Sequence, residues 1–332
     1  MKTALQGIIL ATKVFVFSVV YIGMASGADD WRPARNVEIV AGSSPGGALD
    51  RTAREVQSAI QSQKLVENPV VVINRPGAGS AIAWDYVSRR TGDGSVLGVT
   101  VLGLLTNRIT GASALSFQDL TPIAVLSSEY VVFAVPSTSS IGSGKDLITV
   151  LRKDPAKLNI GIATALGGAS HIAVAQSMKA AGVDIEKLAF IVYPSSSDAV
   201  TALLGKHIDM VAASAGNFLP AMQTDRIRTL AVTSPQRLPG LFKNTPTWRE
   251  QGVNIVFASW RGIAGPKDMP RESVKYWDDI FRKIVASDDW KRSLERNHEQ
   301  DNYMASDEAR RFLSEQDREL TSVLVQLGLA KK

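Results

Sequence analysis

The sequence contains no cysteine. This absence excludes a disulfide scaffold, a thiolate zinc site, an iron–sulfur cluster and a cysteine nucleophile. Histidine is also scarce, because the whole chain has three, His171, His207 and His298, and they form no HExxH or HxH pair. We therefore expect neither a metal site built by the protein nor a cofactor.

Long runs of one charge sign are lacking as well. Basic and acidic residues are interleaved and the formal net charge is only +5, so the pattern gives no support to nucleic-acid binding. A hydrophobic content of 45% over 332 residues excludes a disordered chain. That length allows one large domain or two ordinary ones.

The first 28 residues have the pattern of an export signal. Lys2 and Lys13 precede an apolar stretch over 14–24, and small residues at Ser26 and Ala28 follow it. A membrane anchor is the alternative, but about 20 apolar residues are needed to span a bilayer. We therefore predict cleavage after about Ala28 and export of the remaining chain to the periplasm.

Short β-branched runs alternate with helical patterns along the rest of the chain, which predicts α/β units with mixed, mostly parallel sheets flanked by helices. The C-terminal part carries two amphipathic faces, over 274–285 and 309–327, with Ser306 predicted as an N-cap and Gly328 as a helix stop. Strands are expected at 37–41, 70–73, 96–102, 159–162, 189–192 and 208–211, and helices at 50–63, 82–89, 145–153, 172–181 and 197–204.

Two extended runs divide these units into two blocks. The run over 122–135 is too long for one ordinary strand, and the run over 228–233 leads into a proline-rich passage. This order suggests that one block is inserted into the other, with two chain crossings that could act as a hinge. We predict one discontinuous domain from 29–128 and 234–332, and an inserted domain over 129–233, with the hinge near 122–135 and 228–236.

Two glycine motifs occupy matching places in the two blocks, each directly after a strand and opening a helix. The first is 43–50 and the second is 163–171. Glycines allow backbone amides to approach a ligand closely, and a helix N-terminus favours an anion. The paired motifs therefore predict a cleft that binds both ends of a dianion. We expect Asp50 to brace amides of the first loop or to meet a donor on the ligand, because its charge would repel a carboxylate.

Other candidate chemistry is weaker. Arg75, in the loop over 74–80, is either an anion clamp or a surface contact. Ser170 and His171 are neighbours on a helix and point in different directions, so they do not form a nucleophile and base. His171 is expected to contact its own loop instead. No GxGxxG dinucleotide fingerprint follows a predicted strand.

In combination, several short motifs resemble the substrate-binding proteins of the tripartite tricarboxylate transporter family, also called Bug receptors. The resemblance covers essentially the whole chain after the signal. Its motifs are SPGGALD at 44–50, NRPGAG at 74–79, GDG at 92–94, GGASH at 167–171, GKHID at 205–209, LAVTS at 230–234, TPT at 245–247, EQG at 250–252 and SWRG at 259–262.

The resemblance implies a two-domain periplasmic-binding-protein (Venus flytrap, type II) fold that binds small carboxylates and delivers them to a two-component membrane permease. Carried over by motif, the implied ligand-binding residues are Ser44, Pro45, Gly46, Gly47, Ala48, Asp50, Gly167, Gly168, Ala169, Ser170, His171, Ser214 and Asn217. The sequence departs from many members at 41–44 and at 194–197, so the choice of ligand is not inherited.

We therefore expect a monomeric periplasmic receptor, not an enzyme, for a di- or tricarboxylate. One alternative is an orphan carboxylate sensor that serves a signalling partner. The other is an exported enzyme acting on a carboxylate or ester, which would need a nucleophile, a base or a metal site that the sequence does not reveal.

Overall fold

The computed structural model describes residues 31–331, so the predicted export signal lies outside the described residues. The strands are β1 (Val37–Ala41), β2 (Val70–Asn74), β3 (Val96–Val101), β4 (Leu120–Pro136), β5 (Asn159–Ala163), β6 (Ala189–Tyr193), β7 (Met210–Ser214), β8 (Ile227–Val232), β9 (Ala258–Pro266) and β10 (Glu299–Ala305). The α-helices are α1 (Ala48–Ser62), α2 (Ala81–Ser88), α3 (Gly103–Ile109), α4 (Gly144–Lys153), α5 (Ala169–Ala180), α6 (Ser196–Leu204), α7 (Leu219–Met222), α8 (Arg271–Ala286), α9 (Asp288–Asn297) and α10 (Ser306–Gln326).

The strands form one mixed sheet in the order β2-β1-β3-β9-β4-β7-β5-β6, with β8 and β10 also paired to β4. The pairs at both ends, β2-β1-β3 and β7-β5-β6, are parallel, while β9, β10, β7 and β8 pair with β4 in antiparallel fashion. The parallel ends follow from the helical crossovers that the alternating pattern predicts. Helices flank the sheet, so the predicted mixed α/β sheet is present.

The long extended run over 122–135 is one continuous 17-residue strand, β4. Its first part, Leu120 to Tyr130, pairs with β9, whereas Val131 to Pro136 pairs with β7 and β8. Register shifts between Pro122 and Ala124 and between Val125 and Ser127 bend the strand, as β-bulges do. Because of its length, β4 pairs with β9 along its first part and with β7 and β8 along its second part.

Amphipathic helices cover the sheet as their spacing predicts. Ala53, Val56 and Ile60 of α1 are buried in the same hydrophobic cluster as Trp277 and Phe281 of α8. These positions recur every three or four residues, which places them on one face of each helix. The packing fixes α1 against the sheet and so fixes the position of its N-terminus.

Several local expectations need correction. Ala305, not Ser306, occupies the N-cap of α10. The Ser306 amide and hydroxyl instead donate to the Asp278 carboxylate, at 3.0 Å and 2.7 Å. The strand expected at 208–211 runs over Met210–Ser214, and β10 was missed because its sequence is polar. Gly328 has a φ of +72° just after α10, which confirms the predicted helix stop.

Within residues 31–331, no helix combines the length and the hydrophobicity that a membrane span requires.

Candidate functional site

The two predicted glycine motifs meet at one cleft. The starts of α1 and α5 both line it, and Ser195 and Ser196 at the start of α6 complete one side. The cleft contains about 500 Å3 of space between atoms, including its open mouth. Its lining residues are Ser43, Ala48, Leu49, Val101, Gly103, Glu129, Ala163, Thr164, Gly168, Ala169, Ser170, Ser195, Ser196, Ser214 and Arg261.

Asp50 holds the first loop in shape. Its carboxylate accepts from the Gly46 amide at 2.8 Å, from Asn74 Nδ2 at 2.8 Å and from Arg54 Nε at 2.9 Å. Burial tends to raise the pKa of Asp50, but the hydrogen bonds from Arg54, Gly46 and Asn74 outweigh burial and hold the pKa below its ordinary value. Asp50 is 2% exposed and does not line the cleft, so it braces the loop as the sequence predicts.

His171 has the matching role in the second loop. Its Nδ1 accepts from the Gly167 amide at 2.8 Å, while its ring packs edge-on against Phe190. Burial lowers the pKa of His171 to about 4, so the imidazole is neutral near pH 7 and can accept this bond. The expectation that His171 contacts its own loop is confirmed.

Backbone amides at both helix starts are available for a ligand. Within residues 31–331, the amides of Ala48 and Leu49 in α1, and of Ala169 and Ser170 in α5, donate to no acceptor. The first amides of a helix have no partner inside the helix and carry the positive end of its dipole. Because both starts line one cleft, the cleft offers two groups of donors to an anion.

The two loops also touch the residues opposite them. Ser197 Oγ donates to the Gly46 carbonyl at 2.7 Å, and a side chain added at Gly47 would lie 2.8 Å from Ser195 Cβ. The first loop therefore lies directly against the start of α6. The departure from the family pattern at 194–197 therefore lies against the first glycine loop.

A buried ion pair that was not predicted from the sequence lies in the cleft. Arg261 Nη2 of β9 pairs with Glu129 Oε1 of β4, and also donates to Ser214 Oγ at 3.4 Å. Glu129 is 2% exposed and Arg261 4% exposed. Each of the two strands contains one charged residue, and this was the signal that could have identified the pair.

A second carboxylate lies beside this pair. Glu299 of β10 is directly opposite Glu129 across the strand pair, and its Oε2 accepts from Ser127 Oγ at 2.7 Å. Burial and the neighbouring charge of Glu129 raise the pKa of Glu299 to about 7, although Arg261 opposes the shift. Arg51 Nη2 lies 3.9 Å from Glu299 Oε1, and Arg51 Nη1 donates to Asn217 Oδ1 at 3.4 Å.

Arg75 does not line the cleft. Its guanidinium lies 3.8 Å from the centre of the Tyr86 ring, and Arg90 stacks on the same ring at 3.6 Å. Such stacking is a usual role of arginine on aromatic faces. The structure therefore does not support the anion clamp: Arg75 contacts Tyr86 of α2.

The predicted site residues fall into two groups. Ala48, Gly168, Ala169, Ser170 and Ser214 line the cleft. The others are not among the lining residues: Ser44, Pro45, Gly46, Gly47, Asp50, Gly167, His171 and Asn217. Within residues 31–331, no group of three or more histidine or acidic side chains is arranged to hold a metal ion.

The buried, neutral His171 predicts acid sensitivity. The unfolded chain takes up a proton at this residue near its ordinary pKa of 6.5, whereas the folded chain does so only near 4. Stability should therefore fall as the pH drops from about 6.5 to 4, by at most about 3 kcal/mol. Chemical denaturation of wild type and His171→Gln across this range should show the smaller pH dependence in the variant.

His207→Gln is the matched control because His207 is exposed. It should reproduce the wild-type pH dependence. An unchanged pH dependence in His171→Gln would contradict the role assigned to His171.

Comparison with known proteins identifies the family. The profile described as "Tripartite tricarboxylate transporter family receptor" matches residues 52–329. The chain belongs to this family. A curated protein of Pseudomonas sp. strain P51, "UPF0065 protein in tcbD-tcbE intergenic region", is 31% identical over 273 residues, covering 80% of this chain and 78% of that protein.

Two solved structures show the fold of this family member. The periplasmic binding protein BugD is 23% identical to this chain with a TM-score of 0.81, and the match covers 90% of this chain and 100% of BugD. The R. palustris protein Rpa4515, solved with adipate, has a TM-score of 0.82 and 25% identity, covering 90% and 99%. The predicted fold class is confirmed.

Members of the family are periplasmic solute-binding proteins that work with transporter permeases, and the structural neighbours are binding proteins. The Bug-family resemblance drawn from the sequence motifs is thereby confirmed.

Proposed function

We propose that this chain is a periplasmic receptor that binds a small di- or tricarboxylate in the cleft and delivers it to a two-component permease. One observation carries the proposal: unpaired amides at the starts of α1 and α5 line the same cleft. The adipate-bound structure of the 25% identical R. palustris protein supports a carboxylate as ligand.

Several weak contacts must act together in such a site. Micromolar affinity corresponds to about −8 kcal/mol, whereas one charge at a helix terminus gains only about 0.3–2 kcal/mol. The amides of both helix starts and the hydroxyls of Ser170 and Ser196, which donate to no acceptor within residues 31–331, are available as donors. The ligand should therefore engage both loops at once.

The proposed lobes are residues 29–128 with 234–332, and residues 129–233, closing about a hinge at 122–135 and 228–236. The change of partners along β4 supports this boundary, since Tyr130 still pairs with β9 and Val131 already pairs with β7. The second crossing is supported by Thr233, whose amide donates to the Val131 carbonyl at 3.0 Å. Both crossings are therefore hydrogen-bonded side by side.

The proposed ligand-binding residues come from both loops and from the end of β7: Ser44, Pro45, Gly46, Gly47, Ala48, Asp50, Gly167, Gly168, Ala169, Ser170, His171, Ser214 and Asn217. Direct contact is proposed for the residues that line the cleft, and a supporting role for those behind it. His171 supports a binding role over a catalytic one, because its Nδ1 already accepts from Gly167. We further propose cleavage after about Ala28, a periplasmic location and a monomeric receptor.

A thermal-shift screen of the purified chain tests this function. The panel contains mono-, di- and tricarboxylates and acidic amino acids, each paired with its uncharged amide, such as succinate with succinamide. A ligand at a hundred times its dissociation constant stabilises the protein by about 2.7 kcal/mol, which raises the unfolding midpoint by several degrees. We expect such shifts from at least one carboxylate and none from its amide.

The absence of a shift across the whole panel would overturn the proposed carboxylate receptor. Equal shifts from acids and amides would show that the anion is not what the cleft binds.

A further inference from the structure

Two charged side chains line the cleft, and both are buried. Glu129 and Arg261 come from the neighbouring strands β4 and β9 and form an ion pair through a single oxygen and a single nitrogen. Their exposed fractions are 2% and 4%. The proposed carboxylate ligand therefore shares its cleft with the carboxylate of Glu129, which has the same charge.

The ion pair leaves two buried polar atoms without partners. Glu129 Oε2 and Arg261 Nε make no hydrogen bond within residues 31–331. A buried carboxylate oxygen that accepts nothing, or a guanidinium N–H that donates to nothing, costs free energy. A ligand that supplied a donor to the first atom and an acceptor to the second would remove both costs.

The chemistry of these two atoms discriminates between ligand groups. A carboxylate only accepts hydrogen bonds and an ammonium only donates them, whereas a hydroxyl does both. A second carboxylate would be repelled by Glu129, and an ammonium would leave Arg261 Nε without an acceptor. A hydroxyl on the ligand can donate to Glu129 Oε2 and accept from Arg261 Nε.

We propose that Glu129 and Arg261 form a hydroxyl-recognising subsite, so that the ligand is a hydroxylated di- or tricarboxylate. This inference rests on the proposed function, in which the amides of α1 and α5 bind the carboxylates. Glu129 and Arg261 are then specificity-determining residues. They favour hydroxylated acids and disfavour plain alkyl acids, because the plain acid leaves both buried atoms unpaired.

Matched ligand pairs that differ in one hydroxyl test the subsite. The probes are succinate and L-malate, tricarballylate and citrate, and L-aspartate as the ammonium analogue, titrated calorimetrically into the purified chain. We expect the hydroxylated member of at least one pair to bind about ten- to a hundredfold more tightly than its plain partner. Within the C4 set, L-malate should bind more tightly than L-aspartate.

The double variant Glu129→Met/Arg261→Met removes the subsite and fills its volume with apolar side chains, an exchange that buried ion pairs often tolerate. We expect this variant to keep less than about threefold of the preference for the hydroxylated member of each pair. The matched control is Arg108→Met/Asp317→Met, an ion pair outside the cleft lining, which should retain the full preference.

The outcomes separate the subsite from the receptor. Binding of plain and hydroxylated acids with equal affinity would overturn the subsite and leave the carboxylate receptor standing. A preference for L-aspartate, or a hydroxyl preference that persists in the double variant, would also overturn it. Failure of all five probes to bind would count against the proposed function itself and so remove the basis of the inference.

Discussion

The Arg261→Met variant is expected to be about 3–5 kcal/mol less stable than wild type near pH 8. The substitution removes the cation that pairs with Glu129 and that opposes the negative charge at Glu299. Glu129 and Glu299 lie directly opposite each other on β4 and β10, and both are buried. Two like charges facing each other away from water are costly. Denaturant unfolding followed by circular dichroism measures the loss.

The loss should shrink as the pH falls. The pKa of Glu299 is raised to about 7 by burial and by Glu129, so the folded chain holds a proton there that the unfolded chain has already released. A group of this kind lowers stability as the pH rises from its unfolded pKa of 4.5 to about 7. Removing Arg261 strengthens the repulsion, and proton uptake relieves it. Near pH 5, the deficit of the variant should be clearly smaller than near pH 8.

Two further variants separate this electrostatic cost from lost packing. Glu129→Met/Arg261→Met should recover most of the lost stability, because no unpaired charge remains at the pair. Arg108→Met breaks a partly exposed ion pair and should cost less than about 1 kcal/mol. A deficit in Arg261→Met that does not vary with pH would contradict the charge-based account.

Local sequence signals were sufficient for much of the fold. The glycine motifs after β1 and β5 predicted two helix starts at one cleft, and both starts line it. The spacing of Ala53, Val56 and Ile60 predicted the buried face of α1. These features depend on residues within a few positions of each other, where turn chemistry and helical period act directly.

The Glu129–Arg261 pair could not be predicted in the same way. The two residues are 132 positions apart, and their contact depends on the register of two long antiparallel strands. A change of one residue in register turns every side chain to the opposite face, and β4 carries two register shifts against β9. The polar strand β10 was missed for a related reason, since it is defined by pairing with β4 and not by alternation of its own side chains.

Gly47→Val is expected to weaken carboxylate binding by at least about a hundredfold, which corresponds to about 2.7 kcal/mol. The backbone of Gly47 has a φ of −73° and a ψ of 169°, which any residue adopts, so lack of space is the only obstacle. An added Cβ would lie 2.8 Å from Ser195 Cβ and 2.9 Å from Ser43 Oγ. Calorimetric titration with the carboxylate that gives the largest thermal shift measures the effect.

Neither Ser195 nor Ser43 can move away from an added Cβ without breaking a hydrogen bond. Ser195 Oγ donates to Asp198 Oδ2 at 2.7 Å and caps α6, and Ser43 Oγ accepts from the Asp50 amide at 3.2 Å. The first loop must therefore move away from α6, and this movement displaces the amides of Ala48 and Leu49.

Gly46→Asn is the control in the same loop, because Gly46 has a φ of +79° that asparagine tolerates and nothing lies within 4 Å of its added Cβ. The Gly46→Asn variant should bind the carboxylate within about threefold of wild type. If Gly47→Val bound the carboxylate as tightly as wild type, the first loop would not contact the ligand. The start of α5 would then be the only remaining part of the proposed anion site.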